Sequence, residues 1–239
     1  MFKEHLIVQQ ALKKRNKFIA QFWFAEPRER FQLEPTLVGR KVIMVDAEDS
    51  FTEMFAQQLI AIGLVVTIHK FNAFSLMDHP YDLVVMGAGP GNPQNIGDSR
   101  IASMNKIMQN LIAKQVPFLA VCLSHQLLCL QLGLKLIRKV PPNQGVQRKI
   151  NYFGKHERVG FYNTFVAQCS ENLTAHLSKN QIKVCRESKS SEVYALKGPY
   201  FASMQFHAES LLTCNGIDII ATTIKGLLDY ESNHCLVES

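Results

Sequence analysis

The 239 residues suffice for one large or two small domains, and 47% apolar with 19% charged residues is the composition of a packed globular protein. No apolar run reaches the roughly 18 residues that span a membrane, "MFKEHLIVQQALKKRNK" lacks a small-residue cleavage site, and the net charge of +6 carries no regular basic–aromatic pattern. These features argue against a membrane, a secretory leader and a nucleic-acid partner, and the basic stretches "KKRNK" and "QRKINYFGKHER" read as solvated surface or a docking face.

In chain order, residues 3–24 read as an amphipathic helix with Leu6, Ile7, Leu12, Phe18, Ile19 and Phe22 on its apolar side. "AEPRERFQLEPTLVG" then reads as a linker, so residues 1–39 form an N-terminal helix and linker and residues 40–239 the compact domain. "KVIMVD" (41–46) is a short continuous apolar run, as in a strand buried on both faces. "SFTE" (50–53) fits a capping box, Ser50 capping a helix while Glu53 reaches back, and Gly63 can end that helix. "LVVTIH" (64–69), "DLVVM" (82–86) and "VPFLAV" (116–121) predict further strands, with a helix over 99–115. The alternation predicts an α/β protein with a mostly parallel open sheet flanked by helices. From about 135 to 206 the strand-like runs "QRKINYF", "RVGFYNTFVA", "IKVCRE", "EVYAL" and "YFASMQF" predict an added antiparallel portion, and a last helix covers about 215–230. Six cysteines, at 122, 129, 169, 185, 214 and 235, form no CxxC pair and read as reduced thiols of a cytoplasmic protein.

Three stretches carry chemistry. In "AVCLSHQ" (120–126) an apolar strand runs directly into a helix, so Cys122 sits on a tight turn at the carboxyl end of the sheet. The helix N-terminus favours a thiolate there, and the Leu123 N–H is free to hold an oxyanion. A buried core cysteine is the alternative. "MGAGPGNP" (86–93) follows the strand "DLVVM" with exposed backbone N–H groups, where open parallel sheets bind ligands. A dinucleotide loop is the rival, but Asn92 stands where that fingerprint needs glycine or alanine and no GK[ST] is present; a plain turn is the other reading. In "QFHAES" (205–210), His207 and Glu209 point the same way in extended chain, so the carboxylate can orient the imidazole that a cysteine nucleophile needs, or the two can form a surface pair.

Taken together, in this order, the three stretches resemble the class I (triad) glutamine amidotransferases over residues 41 to about 230. "AVCLSHQ" is similar to that family's GVCLGHQ, "GAGPGNP" to SPGPGxP, and "QFHAES" to QFHPES. The resemblance implies a flavodoxin-like sheet and hydrolysis of the glutamine side-chain amide, with Cys122 as nucleophile, His207 as general base and acid, and Glu209 as the orienting carboxylate. It implies an oxyanion hole from the N–H groups of Gly89 and Leu123, and contacts to substrate glutamine from Gln126, the backbone of Gly91 and, since "FYNTF" (161–165) resembles RYHSL, the backbone of Thr164 and Phe165. "DAEDSFT" (46–52) resembles the start of the chorismate branch. "NQGVQRKINYFG" and "ERVGFYNTF" resemble the glutaminase domain of phenazine-pathway 2-amino-2-desoxyisochorismate synthases, relatives of anthranilate synthase component II. The implied partner is a chorismate-binding, Mg2+-dependent synthase that receives ammonia, with no metal or cofactor in this chain, and the chain is expected to be a separate subunit or a piece of a longer fusion. A catalytically silent assembly subunit and a same-fold hydrolase of γ-glutamyl compounds are the alternatives. Ser124 and Ala120 stand where the elbow has glycine, Ala208 where the family has proline, and Ala88 beside the oxyanion loop; none of these removes a catalytic group.

Overall fold

A computed structural model of the protein describes residues 9–10, 12, 16–30, 32–74 and 80–235, with 230–235 described by backbone alone. From residue 41 the chain runs β1 (Lys41–Asp46), α1 (Thr52–Ala61), β2 (Val65–Lys70), β3 (Leu83–Met86), α2 (Ser99–Ala113), β4 (Phe118–Val121), α3 (Leu123–Gln131), β5 (Lys135–Arg138), β6 (Val146–Tyr152), β7 (Lys155–Phe161), β8 (Phe165–Gln168), α4 (Glu171–Lys179), β9 (Lys183–Arg186), β10 (Val193–Lys197), β11 (Phe201–Met204) and α5 (Gly216–Cys235). The main sheet has the order β2-β1-β3-β4-β11-β10-β9. Its first five strands are parallel, and β10 runs antiparallel to both β11 and β9. β5 pairs with β8, and β6 with β7, in two small antiparallel sheets.

The period of two in each strand builds three layers. Leu119 and Val121 face one core with Phe55, Leu59, Ile220 and Ile224 of α1 and α5. Phe118 and Ala120 face the other core with Met104, Met108, Leu127 and Leu128 of α2 and α3. β3 and β4 are therefore apolar throughout and β1 is apolar from Val42 to Val45, as expected for strands covered on both sides. β2 is an edge strand, with Val65 and Ile68 exposed.

Several expectations need correction. The capping box does not form: Ser50 precedes the N-cap, which is Phe51. No side chain caps α1; the loop before it is held by Asp46, whose Oδ1 accepts from Thr52 Oγ1 at 2.8 Å and Glu48 N at 2.9 Å, and by Asp49, whose Oδ2 accepts from Phe51 N at 3.2 Å. Gly63, at φ 103°, does end α1. The region 135–206 is not simply an antiparallel extension. β11 enters the middle of the sheet parallel to β4, "RVGFYNTFVA" divides into β7 and β8, and α4 intervenes with its cap at Ser170. The N-terminal helix does not run on to residue 24: residues 17–19 turn, and Gln21–Phe24 and Pro27–Arg30 are 3-10 turns. The reason is tertiary, because Ala20 N bonds Leu211 O at 2.8 Å instead of a helical carbonyl. Leu6 and Ile7 lie outside the described residues. The expected linker lies along the domain, with Gln32 N on Ala61 O, Glu34 N on Ile62 O and Leu37 buried. Among the described residues, no helix is long and apolar enough to cross a membrane.

Candidate functional site

The parallel strands end together on one edge of the sheet, and the three chemical stretches meet there. β4 passes into α3 through Cys122, which has φ 50° and ψ −101°. A non-glycine residue in that region costs on the order of 1–3 kcal/mol, and its neighbours hold it there: Cys122 N bonds Met204 O at 2.9 Å, and Cys122 O accepts from Gln126 N at 3.1 Å. Leu123 opens α3, so its N–H is one of the helix's free donors. Ser124 Oγ donates to Gly87 O at 2.6 Å and is fully buried, which ties the elbow helix to the glycine loop. The serine in place of glycine thus adds a bond between two parts of the site. Ser124→Ala is expected to cost about 1–3 kcal/mol, the penalty of a buried acceptor stripped of its donor, read as a lower denaturation midpoint at unchanged slope.

His207 is set by a bridge to Gly160, its N–H bonding Gly160 O at 2.9 Å. Its Nδ1 lies 2.6 Å from Glu209 Oε1, and both side chains are buried. Thr213 Oγ1 donates to His207 O at 2.6 Å and accepts from Gly160 N at 3.0 Å, which fixes the turn between imidazole and carboxylate. The rings of Phe51 and Tyr162 flank the imidazole at 4.8 Å and 5.2 Å between centroids. Burial opposes a charge on His207, but Glu209, then the charge and hydrogen bond of Cys122, outweigh it and hold the imidazole well above its usual pKa. With Nδ1 on the carboxylate, Nε2 remains to serve the thiol.

A cavity of about 460 Å³ opens over these groups. Of the residues singled out from sequence, Gly89, Gly91, Cys122, Gln126, Thr164, Phe165 and His207 line it. Glu209 stands behind His207, and Leu123 lies beneath the glycine loop, its Cδ2 3.1 Å from where a Gly89 Cβ would be. Gln126 Nε2 donates to Phe165 O at 2.8 Å and Gln205 Oε1 at 3.0 Å, so this side chain also secures the wall of the pocket.

Asp49, Phe51, Gln144 and Tyr162 are among the lining residues that were not singled out from the sequence. "DAEDSFT" and "FYNTF" were legible as motifs, but nothing local says that Asp49, Phe51 and Tyr162 surround His207. Burial pushes the Asp49 carboxyl up, against the pull of His207. Asp49, His207 and Glu209 bring ligand-type atoms within 4.8 Å of one another, the one such group of three among the described residues. A cation there would occupy the same His–Glu pair that faces Cys122.

The family described as "Glutamine amidotransferase class-I" matches residues 43–226. Over 95% of its length the chain is 49% identical to "Anthranilate synthase, phenazine specific" of Pseudomonas chlororaphis and, separately, to the protein of that name in Pseudomonas fluorescens. The chain spans 36% of the length of these two relatives. It is 26% identical over 77% of its length to "Anthranilate synthase component 2" of Archaeoglobus fulgidus, covering 97% of that protein. The solved structure of a glutamine amidotransferase from Thermotoga maritima shares the fold, with a TM-score of 0.51 and 16% identity over 83% of this chain and 85% of that one.

Proposed function

Because the chain belongs to the class-I glutamine amidotransferase family, we propose that it hydrolyses the side-chain amide of glutamine and passes the ammonia to a chorismate-aminating synthase. The observation that carries this reading is Cys122, strained at the mouth of a helix and sharing its cavity with the His207 imidazole, which Glu209 backs at 2.6 Å. The Cys122 thiolate attacks the amide carbon of glutamine, and the oxyanion is held by the N–H groups of Gly89 and Leu123. The His207 imidazolium gives its proton to the departing nitrogen, releasing ammonia and leaving a γ-glutamyl thioester on Cys122. His207, now neutral, takes a proton from water, whose oxygen attacks the thioester; glutamate leaves and the thiolate–imidazolium pair returns. Gln126, the backbone of Gly91 and the segment Thr164–Phe165 position the amino-acid end of the substrate.

The partner follows from the relatives, whose names speak of anthranilate synthase. Ammonia freed into water at neutral pH is protonated and no longer nucleophilic, so the acceptor site must join this cavity by an enclosed path. The product is then the 2-amino derivative of a chorismate-type acid, of the 2-amino-2-desoxyisochorismate or anthranilate kind.

A chloroketone analogue of glutamine tests the assignment. It is expected to label Cys122 alone, in a stoichiometry of one, by mass mapping of peptides. Cys129, Cys169 and Cys185 are buried, and burial pushes the thiols of Cys129, Cys185 and Cys214 up, away from the reactive form. Label on Cys214, the partly exposed competitor, overturns the nucleophile assignment, and absence of any label favours a silent assembly subunit.

A further inference from the structure

The turn that carries His207 and Glu209 is laced from outside the catalytic stretches. Trp23, in the first 3-10 turn of the N-terminal arm, donates its indole Nε1–H to the backbone carbonyl of Glu209 at 2.9 Å. Three positions before it, Ala20 N bonds Leu211 O at 2.8 Å. Gln147 Nε2 bonds Leu212 O at 2.8 Å and also bonds Phe18 O, so one amide joins the arm to the same turn. The Arg158 guanidinium lies 4.3 Å over the Phe18 ring. The arm is itself anchored: Phe22 is buried in the core beneath α1 and α5, Trp23 packs edge-on to it at 4.8 Å, and Arg30 Nη2 holds Trp23 O at 3.2 Å. Bonds from the arm thus reach both Glu209 and the residue two beyond it.

We propose that the arm, residues 16–30, braces the catalytic turn, and that Trp23 is a positioning residue which acts on His207 through Glu209. The proposal rests on the reading of Cys122, His207 and Glu209 given above. A carboxylate orients an imidazole only if its own peptide is fixed, because at 2.6 Å a small rotation of that peptide moves Oε1 off Nδ1. Two further bonds fix the His207 side of this turn, from Thr213 Oγ1 and from Ser210 N to His207 O. The indole fixes the Glu209 side. The groups that bear on the charge of His207 are Glu209 from its own turn, Cys122 from the elbow and Asp49 from the loop after β1, with the Tyr162 ring beside it. Trp23 adds no charge to this set, so its effect is through geometry alone.

The test uses the full chain, the chloroketone and the pH dependence of labelling at Cys122, which needs no partner. Trp23→Phe keeps the ring on Phe22 and removes the N–H. It is expected to slow labelling about fivefold at neutral pH, the rate equivalent of one ordinary hydrogen bond. The change should lie in the maximal labelling rate, with half-saturation by the analogue unchanged. Once Glu209 is loosened His207 holds its proton less tightly, the thiolate loses its imidazolium partner, and the rising limb of the profile moves to higher pH. Phe22→Leu is the control: it thins the core under the same arm without touching the Glu209 bond, so it should lower Tm and leave that limb in place. A Trp23→Phe profile matching wild type overturns the proposal, as does a shift of the limb in both variants in proportion to lost Tm. Labelling of the wild-type protein away from Cys122 overturns the triad reading itself and is distinguishable from either.

Discussion

Cys122→Ala is expected to remove glutamine-dependent ammonia release, with a fall on the order of 10⁴-fold or more, as when other enzymes of this logic lose their nucleophile. The thiol is the one group of the cavity placed both at a helix N-terminus and on the imidazole. The cavity's hydroxyls do not replace it; Tyr162 Oη, for one, is committed to Ser210 Oγ at 2.8 Å. The substitution removes one sulfur from a nearly buried site and keeps the backbone, so Tm should change by no more than a few degrees. The proposed synthase partner, supplied with ammonium salt in place of glutamine, should work at its ordinary rate with the variant bound, because in the proposed mechanism the thiol serves ammonia release alone. Retention of more than about a hundredth of the wild-type glutaminase rate contradicts a covalent role for Cys122.

The three stretches that line the candidate site were legible because each is a local pattern at a strand end. An apolar run such as "FLAV" followed at once by helical residues forces the elbow, and "LVVM" followed by three glycines in five residues forces an exposed loop. Parallel strands then bring their carboxyl ends together, so sequence order became spatial proximity. What stayed hidden depends on contacts far apart in the chain. Nothing in "FASM" says that β11 lies parallel to β4, since strand direction is set by the crossover that leads into it. "ENLTAHLSK" buries little beyond Leu177, so its apolar signal is faint although its Ser170 cap was present to be read. Ser50 falls one residue before the N-cap, and the loop between β1 and α1 is organised instead by Asp46, whose carboxylate gathers two loop N–H groups and the Thr52 hydroxyl. Trp23 was visible as the single tryptophan, but its tie to Glu209 spans 186 positions.

Gly89→Ala is expected to lower kcat by about 10²- to 10³-fold, the loss typical when one oxyanion donor is removed or misaimed. A Cβ at this position would stand 2.6 Å from Ala47 O, 2.8 Å from Ala47 Cβ and 3.1 Å from Leu123 Cδ2. Two of these neighbours belong to Ala47, fully buried at the end of β1, and the third to the residue that supplies the other proposed donor. β1 is paired on both sides, with β2 and β3, and does not give way easily. The loop before Gly89 is held at Gly87, whose N–H bonds Val45 O at 2.9 Å and whose carbonyl takes the Ser124 hydroxyl. The strain therefore falls on the Gly89 peptide, the one whose N–H is proposed to meet the oxyanion. A displacement near 1 Å at such a donor is enough for about a hundredfold. Because the donor's bond strengthens only as the amide carbonyl becomes an oxyanion, kcat should fall far more than KM for glutamine rises. Overpacking should also cost about 1–3 kcal/mol of stability, seen as a lower Tm, so turnover is to be compared at a temperature where both proteins are folded. A Gly89→Ala protein that keeps kcat within threefold of wild type would show that this N–H does not face the reacting carbonyl, and would leave Leu123 as the donor to examine.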